Sequence, residues 1–251
     1  MLRGMYTAGT GMLLQRRLME NITHNITNAD TTGYKKEYVV SHSFDEVMIR
    51  RINDSAVLGH TWTAGPLNLG TQVDRLYINF DTGAFDGTER PTDFALVGDV
   101  FFVVQTEAGE RYTRCGAFYI DEVGYLTDGE GHFLLGENGP IYVGGLNFQV
   151  NELGNVFVGG QLTDTIRLAS FDDNDTLRKQ GSNLFYALEA PQAVTSPHRI
   201  LQGVLETSNV DIAREMVDMI TVFRTYETNQ RILTMIDETA GKAVNEIGRL
   251  R

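Results

Sequence analysis

The C-terminal segment constrains the fold of this chain more than any other feature. Residues 211–251 contain no proline and only two glycines. Alternating steps of four and three residues from Ile212 meet apolar or aromatic side chains at almost every position. Such a heptad pattern predicts a long coiled-coil helix, and a helix of about 38 residues would span roughly 57 Å. The predicted N-cap of this helix is Ser208 or Asn209.

The N-terminal segment carries a second heptad pattern. Between Met5 and residue 29, every position of this pattern is apolar except Gln15. Two early glycines weaken this helix by about 1 kcal/mol each relative to alanine, and the polar cluster Asn28–Gly33 predicts its end. We expect the two helices to pair with each other or with neighbouring subunits; an intramolecular pair packed on the rest of the chain is the alternative. The side chains predicted to form a subunit interface are Met5, Met12, Met19, Ile22, Ile26, Ile212, Met216, Met219, Phe223, Tyr226, Leu233, Val244 and Ile247.

Two polar residues, Gln230 and Asp237, interrupt the C-terminal seam. A polar residue at a seam position commonly fixes the register of the helices, and a buried carboxylate is costly unless it is paired. The alternative is that Asp237 faces a wet lumen or a groove. The candidate partners of Asp237 on the N-terminal helix are Arg16, Arg17, Asn25 and Asn28.

Between the two helices the chain alternates short apolar stretches with glycine-rich turns. Phe101–Val104, Ala117–Ile120 and Asn155–Val158 are predicted to be strands. The sequence therefore predicts an α+β fold in which long N- and C-terminal coiled-coil-type helices flank a mainly antiparallel β domain. A short helix could form at residues 44–52. The predicted domains are a terminal helical domain (1–33 plus 208–251), an extended connector (34–71) and a β-rich outer domain (72–207).

The composition argues against several classes of partner. The formal net charge of the chain is −12, and an acidic chain repels phosphate backbones, so we expect no nucleic-acid partner. We find no apolar run long enough to span a bilayer and no apolar segment typical of a secretory signal, so we expect neither membrane insertion nor signal cleavage. The single cysteine, Cys115, excludes an intrachain disulfide.

Motifs for catalysis, metal binding and cofactor binding fail when their spacing is tested. The acidic run Asp172–Asp175 has Leu177 where a calcium loop needs glycine and Asn183 where it needs glutamate. The five histidines are scattered and contain no H-x-x-x-H pair. The glycines at 129, 131 and 136 do not have dinucleotide-binding spacing. We therefore predict no catalytic residue, no metal and no cofactor, and a protein that is not an enzyme.

Motifs at both ends and in the middle resemble those of the flagellar rod and hook protein family. Asn25–Tyr34 is similar to the family's asparagine-rich helix end followed by Thr-x-Gly-aromatic, and Gln202–Asp211 is similar to its C-terminal motif. Pro91–Phe102 resembles the family's β domain, whereas Cys115 stands where the family usually has Asp, Asn or Ser. The residues that match the family motifs are Asn25, Asn28, Thr32, Gly33, Tyr34, Glu206, Ser208, Asn209, Val210 and Asp237.

The resemblance implies a structural subunit of the bacterial flagellar basal-body rod, which polymerises helically into the hollow drive shaft that transmits torque to the hook. Its implied partners are copies of itself, other flagellar rod and hook proteins, and the flagellar type III export apparatus in transit, without signal peptide cleavage. The length and the Thr31–Tyr34 segment favour the distal rod. A proximal rod protein, a hook protein, a cell-wall-acting enzyme and a coiled-coil binding module are the alternatives.

Overall fold

The chain folds into two compact units. The structure is a computed structural model that describes residues 2–50, 63–181, 183–192, 194 and 197–247. The first of the two units, which we call the helical unit, comprises Met1–Ile26, Glu37–Tyr77 and Ile212–Arg251. The second, which we call the β-rich unit, comprises Thr27–Lys36 and Ile78–Asp211.

The helical unit contains two long helices, α1 (Leu2–Thr27) and α2 (Ile212–Lys242), and α2 continues into a π turn (Ala243–Ile247). The end of α1 just before the polar cluster confirms the predicted break. The predicted N-cap of α2 is wrong, because the helix begins at Ile212, after Asp211. In the described part of the chain, neither helix is long and apolar enough to cross a bilayer.

The two helices run antiparallel. A methyl group added to Gly4 would lie 3.0 Å from Ile236, and one added to Gly11 would lie 3.0 Å from Asn229. Farther along α1, a side chain near its end reaches a side chain in the first turn of α2 (described below). Residue numbers in these contacts fall along α2 as they rise along α1, so the helices are antiparallel. Gly4 and Gly11 have no side chain, which lets the two backbones approach closely.

Buried and half-buried side chains of α2 follow a heptad stripe that differs in phase from the predicted seam. The stripe shares Met219, Tyr226, Leu233 and Ala240 with the predicted seam, whereas Ile212, Met216, Phe223 and Val244 are exposed. The predicted seam and the packed stripe therefore share every second position along α2 and differ by one residue at the others. Of the two, only the packed stripe is buried or half-buried along its length within the chain. The helix pair is present, and supercoiled geometry stays a prediction. The stripe consists of Glu215, Met219, Val222, Tyr226, Asn229, Leu233, Ile236 and Ala240.

Four strands accompany the helices: β1 (Glu37–Ser43), β2 (Val47–Arg50), β3 (Thr63–Leu67) and β4 (Thr71–Ile78). β1 pairs with β4, and β2 pairs antiparallel with β3. Much of the predicted connector 34–71 is therefore strand, and the short helix predicted at residues 44–52 is wrong where it is described, because Val47–Arg50 extend to pair with β3. Residues 51–62 lie outside the described part of the chain.

The β-rich unit confirms a mainly antiparallel β domain. Its strands are β5 (Phe85–Gly87), β6 (Phe94–Val97), β7 (Phe101–Thr106), β8 (Gly109–Thr113), β9 (Tyr119–Ile120), β10 (Leu126–Thr127), β11 (Phe133–Leu134), β12 (Phe148–Val150), β13 (Asn155–Val158), β14 (Gln161–Thr165), β15 (Leu168–Ala169), β16 (Leu177–Gln180), β17 (Leu184–Ala187), β18 (Arg199–Gln202) and β19 (Val204–Glu206). The largest sheet has the order β16-β17-β8-β7-β11-β10-β9, with β15 also paired to β7; β12-β13-β14, β18-β6 and β19-β5 form smaller sheets. A short 3₁₀ turn (Asn174–Thr176) precedes β16.

Both faces of strand β7 are buried, which shows that β7 lies at the centre of this unit. Phe102 and Val104 belong to one apolar cluster, and Phe101 and Val103 belong to a second cluster. Successive side chains of a strand point to opposite faces, so one uninterrupted apolar run supplies two cores. This explains why the run was recognisable from sequence as a strand but showed no alternation.

Candidate functional site: a buried clasp at the motif residues

The motif residues Thr32, Gly33 and Tyr34 pack inside the β-rich unit. Gly33 has a left-handed backbone (φ +67°), and a Cβ placed there would lie 2.5 Å from the Cys115 nitrogen. Only glycine fits this position without moving the backbone. The Gly33 N–H donates to the Glu206 carbonyl at 2.8 Å, and Asn183 Nδ2 donates to the Thr32 carbonyl at 3.1 Å.

Three buried charged side chains, Lys35, Arg114 and Glu206, form a cluster that we call the clasp. Lys35 Nζ donates to Glu206 Oε1 at 2.6 Å. The Gly83 N–H donates to the same oxygen at 3.0 Å, and Arg114 Nη1 lies 3.8 Å from Glu206 Oε2. The side chains of Lys35 and Arg114 are 0% exposed and that of Glu206 is 1% exposed. Buried charges are tolerated only when they are paired, so each of these groups depends on the others.

Burial is the main perturbation of the two cations in the clasp. It lowers the pKa of Lys35, and the negative charge of Glu206 opposes this effect. Burial also lowers the pKa of Arg114, again opposed by Glu206 and, more weakly, by Asp99. Lys35 Nζ also donates to the Asp81 carbonyl at 2.8 Å. The sequence motifs include Glu206 but neither cation, although Lys35 directly follows the Gly33-Tyr34 motif.

Asn209 ties the C-terminal motif to two other segments of the β-rich unit. Its Oδ1 accepts from the Lys36 N–H at 2.7 Å, and its Nδ2 donates to the Asn79 and Asp81 carbonyls at 2.9 and 3.0 Å. These bonds occupy the side chain that was expected to cap α2. Beside Asn209, the Ser208 hydroxyl accepts from the backbone N–H of Val210 at 3.3 Å. Tyr34 is buried, and Lys179 Nζ lies 4.0 Å from its ring centroid.

In the helical unit, the buried Asn25 side chain connects α1, β1 and α2. It accepts from the Glu37 N–H at 3.1 Å and donates to the Glu37 carbonyl at 2.8 Å. Its Nδ2 also lies 3.4 Å from Glu215 Oε2. Because one amide satisfies both backbone groups of Glu37, replacing it would leave a buried donor and acceptor without a partner.

The remaining predicted polar residues have local roles. Asp237 is exposed on α2, which fits a solvated face rather than a buried pair. Arg16 and Arg17 form ion pairs with Glu20 of their own helix, and Asn28 accepts from the Thr31 hydroxyl. The structure therefore brings together the motif residues near Glu206 but does not place Asp237 with its predicted partners.

The residues predicted to form the subunit interface have mixed exposure within one chain. Ile22 is buried; Met12, Met19, Ile26, Met219, Tyr226 and Leu233 are half-buried; and Met5, Ile212, Met216, Phe223 and Val244 are exposed. The side chain of Ile247 lies outside the described residues. Their contact with neighbouring subunits stays a prediction.

The clasp has the chemistry of a structural ion-pair cluster. Lys35 Nζ and Glu206 Oε1 are hydrogen-bonded to each other and to backbone groups, and Arg114 Nη2 donates to the Gly98 carbonyl at 2.7 Å, which holds distant segments together. Among the described residues, Arg114 Nε and Nη1 and Glu206 Oε2 make no hydrogen bond, so Arg114 and Glu206 interact through charge alone. In the ranges that the structure describes, no three His, Cys, Asp or Glu side chains are grouped so that they could hold a metal ion. Cys115 is partly buried, with its Sγ 3.4 Å from the Thr32 hydroxyl.

Comparison with known proteins identifies relatives along the whole chain. Residues 5–35 match the family model described as "Flagella basal body rod protein", residues 95–158 match "Flagellar hook protein FlgE/F/G D1 domain", and residues 201–246 match "Flagellar basal body rod FlgEFG protein C-terminal". The chain is 32% identical to the flagellar hook-basal body complex protein FlhO of Bacillus subtilis, over 100% of both chains. It is 30% identical to the flagellar basal-body rod protein FlgG of the same organism, over 98% of this chain and 99% of that one. It is 27% identical to the flagellar basal-body rod protein FlgF of Mesorhizobium japonicum, over 97% of each chain.

Proposed function

This chain belongs to the flagellar basal body rod protein family and is a structural subunit of the rod, and we propose that it forms the distal part of the rod as a helical homopolymer. The family places it in the flagellar basal body, in assembly with other rod and hook proteins. The distal position is supported by the Thr31-Thr32-Gly33-Tyr34 segment, which resembles that of distal rod proteins. In this function the chain transmits torque and catalyses no reaction.

The observation that carries the homopolymer is the helix pair. Within one chain the described part of α2 packs along one stripe, and a second apolar series on α2 is exposed. An amphipathic helix gains stability by burying such a series against a partner. In the assembled rod the terminal segments (1–33 and 208–251) would form the axial core, with the predicted interface residues in contact between subunits, and residues 72–207 would form the outer layer.

The proposed route to this location is export by the flagellar type III apparatus without signal cleavage. The chain would pass in an unfolded form and fold at its place of assembly. The glycines of α1 fit this route, because glycine lowers the helix stability of the isolated segment. The exported protein should keep its own first residues, which mass spectrometry of the N-terminal peptide from purified basal bodies would show.

Electron microscopy of basal bodies from a deletion strain tests the rod function and the distal position separately. We expect the strain to be non-motile and to carry a short proximal rod but no hook, and the reintroduced gene should restore both. A complete hook on the deletion strain would refute the rod function. Loss of the proximal rod as well would refute the distal position only.

A further inference from the structure

An asparagine followed by a glycine lies in the turn between β11 and β12. Asn138 is the only asparagine of this sequence with glycine as the next residue. The turn is tight, because the Gly136 N–H donates to the Gly139 carbonyl at 2.7 Å. Asn138 is exposed and Gly139 is half-buried, so solvent reaches this pair of residues in the single folded chain. Within the described residues the Gly139 N–H donates no hydrogen bond, which leaves its nitrogen unoccupied.

A buried carboxylate, that of Asp164 in β14, holds Asn138 in place. Asp164 Oδ1 accepts from Asn138 Nδ2 at 3.0 Å and from the Asn138 N–H at 3.4 Å. The same oxygen accepts from the Thr165 N–H at 2.8 Å. Hydrogen bonds to a carboxylate are about twice as strong as bonds between neutral groups. The amide group of Asn138 is therefore fixed against β14 by a negatively charged partner.

An asparagine beside a glycine can lose ammonia without any enzyme. The Gly139 backbone nitrogen attacks Asn138 Cγ, the Cγ–Nδ2 bond breaks, and Nδ2 leaves as ammonia with the proton that the Gly139 nitrogen gives up. Water then opens the resulting cyclic succinimide at either of its two carbonyl groups, which yields aspartate or isoaspartate. Glycine permits the attack because it has no side chain to obstruct the approach.

We propose that Asn138 is a site of spontaneous deamidation and that Asp164 sets the rate of this reaction in the folded chain. The attack develops negative charge on the side-chain oxygen of Asn138, and the neighbouring carboxylate of Asp164 repels that charge. Nδ2 also needs a proton in order to leave, and a carboxylate that accepts a hydrogen bond from Nδ2 supplies none. The contact that holds the turn therefore protects it from modification, wherever the subunit stands in the rod.

Deamidation removes the contact that protects the site. Aspartate at position 138 places a second carboxylate where the amide nitrogen now lies, 3.0 Å from the Asp164 oxygen, and like charges this close repel each other. Isoaspartate also lengthens the main chain by one atom inside the tight turn between Gly136 and Gly139. Both products loosen the turn from β14, and because the ammonia is lost, the change is permanent in each subunit.

Peptide mass spectrometry of the full-length chain, incubated in warm and mildly alkaline buffer, tests the site and its control. In urea, Asn138 should convert faster than every other asparagine, and in the folded chain it should convert more slowly than in urea. Asp164→Asn keeps the shape of the side chain but removes its charge, and it should speed conversion of folded Asn138 by about tenfold. Glu206→Gln, which weakens the same unit without contacting Asn138, should change this rate little while circular dichroism shows a folded chain.

Faster conversion of another asparagine in urea would overturn the site. An unchanged rate in Asp164→Asn, or an equal acceleration in Glu206→Gln, would overturn the control by Asp164.

A second pair of variants tests the consequence of deamidation. Asn138→Asp, which is one of the two products, should lower the urea midpoint of the β-rich unit. Adding Asp164→Asn should restore most of the loss, because one carboxylate and one amide again face each other. Asn147→Asp, at an exposed asparagine of the same unit, should leave the midpoint unchanged. A normal midpoint for Asn138→Asp, or no recovery in the double variant, would show that the two carboxylates do not oppose each other.

Discussion

Replacing Glu206 by glutamine should destabilise the β-rich unit strongly. The substitution preserves the shape of the side chain but removes the anion that faces Lys35 at 2.6 Å and Arg114 at 3.8 Å. Removing one partner of a buried ion pair costs about 3–5 kcal/mol. Lys35 can release its proton and limit this cost, whereas an arginine stays charged. At about 2–4 °C for each kcal/mol, the melting temperature should fall by roughly 6–20 °C.

Urea unfolding followed by circular dichroism, at concentrations where the chain is monomeric, measures the change directly. Glu122→Gln is the matched control, because Glu122 is exposed in the same unit, and its effect should stay within about 0.5 kcal/mol. Lys35→Met combined with Glu206→Gln should cost less than the sum of the single changes, since the two groups interact. If Glu206→Gln unfolds within about 1 kcal/mol of the unsubstituted chain, the clasp does not hold this unit together.

Three further predictions concern the backbone at Gly33, two glycines of α1 and the titration of Lys35. Gly33→Ala should cost about 2–4 kcal/mol in urea unfolding, whereas Gly181→Ala, with a similar positive φ but open space around it, should cost only about 1–2 kcal/mol. Gly9→Ala should raise the stability of the helical unit by about 0.5–1 kcal/mol, but Gly11→Ala should gain less because Asn229 is in the way. Burial lowers the pKa of Lys35 below 10.5, so the unfolded chain binds more protons between these two pKa values. The contribution of Lys35 to the free energy of unfolding should therefore rise with pH between its pKa in the folded chain and its pKa in the unfolded chain. Lys35→Met should abolish this rise in urea unfolding measured over a series of pH values.

The helices were predictable because their apolar period extends over many turns, but the face that packs was not. The two series on α2 share every second position, and the packed one has Glu215 where the predicted one has Met216, so hydrophobicity alone does not select the series that packs. The choice depends on the partner helix, where Gly4 and Gly11 permit close approach. Strands β1 to β4 were missed for a different reason. They are largely exposed or half-buried, and their side chains show no regular alternation.

The clasp could be predicted only in part. Gly33 and Glu206 stand in motifs that resemble a known family, and both prove to be central to the site. Lys35 and Arg114 carry no local signal, because a buried cation has the same sequence context as an exposed one. Their partner Glu206 is 171 residues from Lys35, and only the fold brings such distant charges together.

The bonds of Asn209 also have a consequence for how this protein can change in evolution. The chain passes from one unit to the other after residues 26, 36, 77 and 211. Lys36, Asn79 and Asn209, each close to one of the last three passages, are hydrogen-bonded to one another. Most of the β-rich unit is therefore a single excursion of the chain that starts and finishes at one place. An insertion, a deletion or an exchanged module between residues 84 and 205 that keeps Arg114 and Asn183 in place can alter the size of this excursion and leave the spacing of its two ends unchanged.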